Sequence, residues 1–419
     1  MNKPTTAFLH YTAAPIIGGV EGVMLAHAET FVAAGYPVTV VVGRGAAGAQ
    51  PDGVEYVEIP DLDSRHPDVL TIGAELEAGH VPAAFEAATH RIEELLVPIL
   101  SRFDNVIVHN VFTKRFNLPL TAALFRLLDR GIPPNYLAWC HDFDWTGRRE
   151  RRQVYPGYPW DLLRTYRPEM TYVTVSEQRR RALAGLLERP LDEIRVVYNG
   201  VDARRLLDLS DEAWRLAERF DLCNADLVLL MPVRVTRAKN VEYGLAVVAA
   251  LRDLGIRTRL VLTGPPDPHD PKSLAYLHSL QDLRRDLGVE KEMHFVFEAG
   301  PGGKEGYTVG MDVIGDLYRV ADLMFMPSHR EGFAMPVLEA GLVGIPVVST
   351  AVPATAELAA DEAMLIGEDE PPEALARRMA AWAEQDPVHR LKRRVRRGYM
   401  WQTIFDRDIE PLLHRRERS

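Results

Sequence analysis

Cysteine is nearly absent: Cys140 and Cys223 are the only thiols in 419 residues. They lie far apart, which argues against a disulfide scaffold or a cysteine-rich metal site and for a reducing compartment. Long apolar runs are missing as well, since none reaches the ~18 residues of a spanning helix. Residues 1–15 carry one lysine and an apolar stretch too short and broken for a secretory signal, so a cytoplasmic location is expected. There is no excess of positive charge. The net charge is −10, so nothing global favours nucleic acid. Short-period repeats and low-complexity tracts are lacking.

What is present is ordinary globular material, 47% hydrophobic and 26% charged, in a chain long enough for two domains. Its most informative stretch is 327–350, PSHREGFAMPVLEAGLVGIPVVST. Apolar residues 323–326 before it and 345–348 near its end read as buried strands. A helix over 336–342 lies between them, with Pro336 in its first turn, where proline is tolerated. Glu331 precedes the helix and Glu339 lies inside it, eight positions on. The backbone N–H groups of Gly332, Phe333 and Ala334 stand at the helix entrance. A helix N-terminus suits anions, while carboxylates accept hydrogen bonds from sugar hydroxyls. Both together outline a nucleotide-sugar site. The bland alternative is a βαβ unit with two solvated glutamates.

The chain opens with a strand at 7–11, a loop ending in Gly18-Gly19, a helix at 20–34 and a strand at 38–42, which is a βαβ start for a parallel sheet. Gly43 to Gly48 spell G-x-G-x-x-G after a strand. They lead into a turn and another strand at 54–59, not a helix, so the dinucleotide reading fails its context test. Residues 61–79 read as irregular and 83–100 as helical, with Pro98 bending the end. Strands at 106–109 and 136–139 end in His109-Asn110 and in Cys140-His141-Asp142, at the sheet edge where ligands bind in open α/β folds. A loop follows with Asp144 and Trp145, then Arg148, Arg149, Arg151 and Arg152, then Tyr155, Tyr158 and Trp160. Loops on a rigid scaffold carry binding residues, although a charge run is more often a solvated face.

Residues 203–221 read as a charged linker. A new parallel pattern starts with a strand at 227–231, a loop holding Arg234 and Lys239, and a helix at 241–254. Two cations five positions apart at a strand-to-helix loop suit a diphosphate. Further strands read at 259–263, ending at Gly264, and at 293–297. The Gly-rich loop after them, with G-G-K-E-G, lacks the spacing of a phosphate-binding P-loop. After Thr350 the chain reads as helices. The basic run 390–397 reads as a solvated helix, with a membrane surface as its rival.

E-G-F-A-M-P-V-L-E-A-G-L-V-G-I-P-V-V resembles the E-x7-E signature of retaining, family 4 type glycosyltransferases of the GT-B fold. The resemblance covers nearly the whole chain. It implies an α/β chain of two Rossmann-like domains with parallel sheets facing a central cleft. The N-terminal acceptor domain would be 1–205 and the nucleotide-sugar domain 206–398, with a C-terminal helix, 399–419, crossing back past the aromatic spot Tyr399-Met400-Trp401. One residue departs from the pattern: Ala334 stands where the family usually has Gly, which bears on the identity of the sugar. V-S-E at 175–177 and Y-N-G-V-D at 198–202 resemble the end of the family's first domain.

By the same resemblance, Arg234 and Lys239 hold the leaving diphosphate, and Glu331 and His109 act at the hexose. Gly18, Gly19, Gly264, Gly332, Phe333, Ala334, Val337 and Glu339 belong to the donor site. His141, Asp142, Asp144, Trp145, Arg148 and Arg149 line the acceptor side. The expected donor is a nucleoside diphosphate sugar and the acceptor a small polar molecule, in one form anionic. No cofactor and no essential metal are expected. D-x-D occurs at Asp61 and Asp63, Asp142 and Asp144, and Asp406 and Asp408, and such short matches in an acidic chain are weak. A GT-B sugar-nucleotide epimerase, a nucleotide-sugar-binding regulator and a dehydrogenase remain as rivals. Peripheral membrane contact stays open, and no nucleic acid is expected.

Overall fold

The computed structural model describes residues 3–133, 135–145, 153–359 and 361–414. The chain divides into two compact units: 1–200 together with 401–419, and 201–400. The sequence-based boundaries fell at 205 and 399. The observed ones follow from a pairing of the two connections, in which Val201 bridges Met400 and its N–H donates to the Tyr399 carbonyl at 2.8 Å.

The N-terminal unit is built on a seven-stranded sheet. Its strands are β1 (Thr6–Thr12), β2 (Val38–Arg44), β3 (Glu55–Glu58), β4 (Asn105–His109), β5 (Asn135–Cys140), β6 (Met170–Thr174) and β7 (Ile194–Val196). They run parallel in the order β3-β2-β1-β4-β5-β6-β7, with Phe8 beside Val40 and Ile107. Alternate residues serve opposite faces, as the period of two requires. Phe8, Val40, Ile107 and Leu137 pack one core, and Leu9, Val41, Val108 and Tyr136 pack the other. Both faces are covered, which is why these strands read as continuous apolar runs. Ile404, Phe405 and Ile409 of the C-terminal segment join the first core.

The C-terminal unit repeats the plan with β8 (Leu227–Met231), β9 (Thr258–Leu262), β10 (Met293–Phe295), β11 (Leu323–Met326), β12 (Val347–Thr350) and β13 (Ala363–Ile366). The order is β10-β9-β8-β11-β12-β13, all parallel, with Leu229 between Leu260 and Leu323. Each sheet therefore reverses its winding once, between β1 and β4 and between β8 and β11. Ligands of open α/β sheets sit outside the carboxyl ends of the strands at that reversal.

Four sequence readings need correction. Residues 61–79 are not irregular throughout, because Pro67–Glu77 is a helix that buries Val69, Ile72 and Leu76 on one face. The stretch 203–221 is not a linker. Ser210 caps the helix Asp211–Arg219, which buries Ala213, Leu216 and Ala217 in the C-terminal core. The chain after Thr350 also holds a strand, β13, paired with β12. The basic run is not simply solvated: on the helix Pro387–Gly398, Arg396 is buried and pairs with the buried Asp322 at 2.9 Å, with Lys392 at 3.2 Å from the same carboxylate. Among the described residues no helix is long and apolar enough to cross a membrane.

Candidate functional site

At the reversal of the C-terminal sheet two loops leave adjacent strands, 232–240 after β8 and 327–334 after β11. They are tied twice. The His329 N–H donates to the Ala238 carbonyl at 2.8 Å, and Lys239 Nζ lies 2.7 Å from both Glu331 carboxylate oxygens. Arg234, on the first of these loops, is 58% exposed and lies 3.8 Å from the Asp267 carboxylate. Gly264 explains how that loop can lie so low. A Cβ there would meet the Val233 carbonyl oxygen at 2.3 Å and the Arg234 Cα at 2.7 Å, so only glycine lets the end of β9 pass under it.

Gly332 and Phe333 are exposed at the entrance of the helix Met335–Val343. Ala334 caps it in the left-handed region at φ 62°, a conformation that favours glycine, and its methyl is buried in the core. Its side chain therefore faces the core, and crowding of a sugar by that methyl is not what the substitution brings. Val337 also packs into the core, so its side chain supports the helix rather than a ligand. Glu339 Oε2 accepts from the Tyr318 hydroxyl at 2.8 Å. Burial, reinforced by this carboxylate, pushes the Tyr318 hydroxyl well above its usual range, so it stays protonated and donating.

At the reversal of the N-terminal sheet the groups are mostly uncharged. His109, at the end of β4, is fully buried. Its Nδ1 lies 3.4 Å from His141 Nε2, the two rings are stacked, and its carbonyl is 2.8 Å from His10 Nδ1. His27, on the helix Gly19–Ala33, lies 5.5 Å from the His109 ring and 4.9 Å from Trp139. Burial holds all four histidines below their ordinary value, to about 4 for His141 and about 3 for His27, with neighbouring histidines adding to the effect on His109. They are neutral at pH 7. His109 has no exposed surface, so His141 is the ring nearer to solvent.

Asn110, at φ 60°, uses Oδ1 to accept the N–H groups of His141 and Asp142 at 3.0 Å each. This fixes the exit of β5. Asp142 is half-exposed and pairs with Arg179 at 2.6 Å. Gly18 caps the helix Gly19–Ala33, and both glycines are exposed at its entrance.

Residues 17–205 match the family described as Glycosyltransferase Family 4, and residues 215–399 match Glycosyl transferases group 1. The chain belongs to the family 4 type glycosyltransferases of the GT-B fold. A D-inositol 3-phosphate glycosyltransferase of Saccharomonospora viridis is 33% identical over 172 residues, 41% of this chain and 37% of the relative. The mannosylglucosylglycerate synthase of Petrotoga mobilis is 25% identical over 266 residues, 58% of this chain and 59% of the relative. The chain spans only 37–42% of the length of the first three curated relatives it matches. A glycosyltransferase structure from Rickettsia africae aligns over 99% of this chain and 96% of that one at 16% identity and a TM-score of 0.34.

The residues expected at the donor lie on the two loops at the reversal of the C-terminal sheet: Arg234 and Lys239 after β8, and Glu331, Gly332 and Phe333 after β11, with Glu339 on the adjoining helix. Two acceptor-side expectations are corrected. Asp144 is buried, ion-paired to Lys114, and accepts the Arg115 N–H at 2.6 Å, so its oxygens are already engaged. Trp145 donates its ring N–H to the Trp160 carbonyl at 3.3 Å and stacks under Arg164 at 4.1 Å, which makes it part of the loop's own packing. Arg148, Arg149, Arg151 and Arg152 lie outside the described residues.

Two polar groups at the Gly18–Gly19 pair were missed. The Glu21 carboxylate accepts from the Thr12 hydroxyl at 2.5 Å and lies 4.0 Å from His10 Nε2. A Cβ on Gly18 would meet Glu21 Oε2 at 2.1 Å. The signal for Glu21 was the fourth letter of G-G-V-E; His10 sits inside an apolar strand and carries none. The decoy Gly43 has a packing role, because a Cβ there would lie 1.9 Å from the Asp63 backbone nitrogen.

Proposed function

We propose that this glycosyltransferase moves a hexosyl group from a nucleoside diphosphate sugar to a hydroxyl of a small polar acceptor, with retention. The observation that carries the reading is the Lys239–Glu331 contact that ties the loops after β8 and β11 at the sheet reversal, with Arg234 on the first loop and Glu339 in the helix after the second. The cations and the amides of 332–334 suit a diphosphate, and the carboxylates suit hydroxyls of hexose and ribose. In a front-face transfer the bond from sugar C1 to the diphosphate oxygen breaks while the acceptor oxygen bonds to C1 on the same face. The acceptor proton passes to the departing diphosphate. The barrier is lowered chiefly by stabilising charge on that diphosphate, which Arg234, Lys239 and the amides supply without a metal. His109 acts from behind His141, as a neutral positioning group.

The two relatives named above each bear the name of a polyol or acid with an anionic group, which supports a small anionic acceptor here. The two free thiols, Cys140 and Cys223, fit a cytoplasmic enzyme. A thermal-shift panel of UDP-, GDP- and ADP-sugars tests the donor, since a ligand at a hundredfold excess over Kd stabilises by about 2.7 kcal/mol. No shift from any of the three removes the reading. Incubation with donor alone, showing an epimeric sugar nucleotide, would replace transfer by epimerisation.

A further inference from the structure

We propose that Glu331 competes with the diphosphate for Lys239, and so makes the site hold a sugar-bearing donor better than the bare nucleoside diphosphate. The inference rests on the donor reading above and says which residue tunes it. Lys239 Nζ is shared evenly between the two Glu331 oxygens, 2.7 Å from each. Only 20% of the lysine side chain and 7% of the glutamate side chain are exposed, so solvent and salt screen this pair weakly. The two cations of the site are therefore unequal. Arg234 is open to solvent, with the Asp267 carboxylate at 3.8 Å, whereas Lys239 already has a close anionic partner.

A phosphate group that engages Lys239 must share it with Glu331 or displace it. Either way a partly buried carboxylate loses its counter-charge beside a new anion, which is costly. The two ligands differ in what they offer in return. A hexose carries hydroxyls, which donate to a carboxylate, so a sugar-bearing donor gives Glu331 new partners as Lys239 turns to the phosphates. A bare nucleoside diphosphate offers no donor at that position, and the exchange stays uncompensated. Glu331 thus weakens the hold on the product while leaving the donor its hydrogen bonds.

The test is calorimetry on the full chain with UDP, GDP and ADP, and with inorganic pyrophosphate as a base-free anion. Wild type, Glu331→Gln, Lys239→Ala and the double variant are compared. Glu331→Gln keeps the shape and removes the charge. It should tighten the best-binding nucleoside diphosphate about tenfold, the scale of a close charge pair. Pyrophosphate should tighten in parallel. In the Lys239→Ala background the same Glu331→Gln change should alter Kd by less than about twofold, because the partner contested is gone. An unchanged or weaker Kd in Glu331→Gln overturns the inference. So does equal tightening with and without Lys239, which would be plain local charge. Should Glu331→Gln fold poorly, Glu331→Asp withdraws the carboxylate from Lys239 and must tighten the nucleotide in the same direction. If none of the three nucleotides binds wild type, the donor reading itself falls and takes this inference with it; if they bind and the variants do not respond, only this inference falls.

Discussion

Each unit holds a lysine–carboxylate pair at the exits of its parallel strands, and the two pairs differ in what surrounds them. In the N-terminal unit Lys114 follows β4 and Asp144 follows β5; their side chains are 11% and 1% exposed. Asp144 also accepts the Arg115 N–H, and its own N–H donates to the Thr113 carbonyl at 3.1 Å. In the C-terminal unit the Lys239 and Glu331 side chains are 20% and 7% exposed, and Arg234, five positions before Lys239 on the same loop, is 58% exposed. The first pair is closed on itself and holds loops together. The second has unused charge at its edge. Topology places both pairs at strand exits; the additional hydrogen bonds of Asp144 leave the first pair engaged within its own loops.

The largest effect should come from breaking the closed pair. Asp144→Ala leaves the Lys114 ammonium buried without a counter-charge, and one-sided removal of a buried pair costs about 3–5 kcal/mol. Urea unfolding should show this loss, and donor-site calorimetry on the surviving folded fraction should not change. A loss under 1 kcal/mol would mean that Lys114 simply swings to water.

Removing either cation of the C-terminal site should cost rate, and Lys239→Ala should add some loss of stability, because it leaves the Glu331 carboxylate, 7% exposed, without its partner. Lys239→Ala or Arg234→Ala should lower kcat by about 10²–10³, the scale for removing one preorganised donor to developing charge. Steady-state kinetics on folded variants checks it. Unchanged kcat in both variants would remove them from the diphosphate.

The comparison extends to pH. Among the described residues, burial holds down four histidines in the N-terminal unit, His10, His27, His109 and His141, and His294 alone in the C-terminal unit, the last to about 4. A depressed histidine pKa means that the unfolded chain takes up protons that the folded one refuses. The stabilisation is full above pH 6.5 and is lost as pH falls through the window from 6.5 to about 4 for His141 and about 3 for His27. His141 alone accounts for about 3 kcal/mol across its window. Peptide-resolved hydrogen exchange between pH 7 and pH 5 should show the N-terminal unit opening first. Opening of the C-terminal unit first would contradict the assignment.

Much of this was legible in the sequence because it lies in periodic or punctuated stretches. The runs at β1, β2, β8 and β11 are buried on both faces and read as strands without ambiguity. Arg234, Lys239 and Glu331 stand at the exits of β8 and β11, with Glu339 in the helix that follows; the motif resemblance picked them out, and the pairing of β8 with β11 brings their loops together. The helix Pro67–Glu77 was missed because Gly73 and the exposed Leu70 blur the spacing of its buried residues Val69, Ile72 and Leu76. The helix Asp211–Arg219 was missed because charge masks a narrow apolar stripe of Ala213, Leu216 and Ala217. Asp144 looked like a ligand because its partner, Lys114, is 30 residues away and nothing local announces it. His10 hides in an apolar run for the same reason.

The smallest expected effect separates Asp142 from Asp144, two residues apart on the same loop. Asp142 is 53% exposed and its partner Arg179 39% exposed, so their ion pair at 2.6 Å is well solvated. Exposed pairs of this kind contribute at most about 1 kcal/mol. Asp142→Asn keeps the backbone N–H that Asn110 accepts, so the loop geometry should persist. Stability should therefore stay within about 1 kcal/mol of wild type. If this loop meets the acceptor, the released Arg179 and the lost carboxylate should change acceptor KM while kcat and nucleotide Kd hold. With D-inositol 3-phosphate as the probe, an anionic acceptor should bind more tightly to Asp142→Asn, because a negative charge beside the cation has gone. A KM that does not move would place the acceptor away from β5, and the closed and open ends of this loop would then be alike in having no part in recognition.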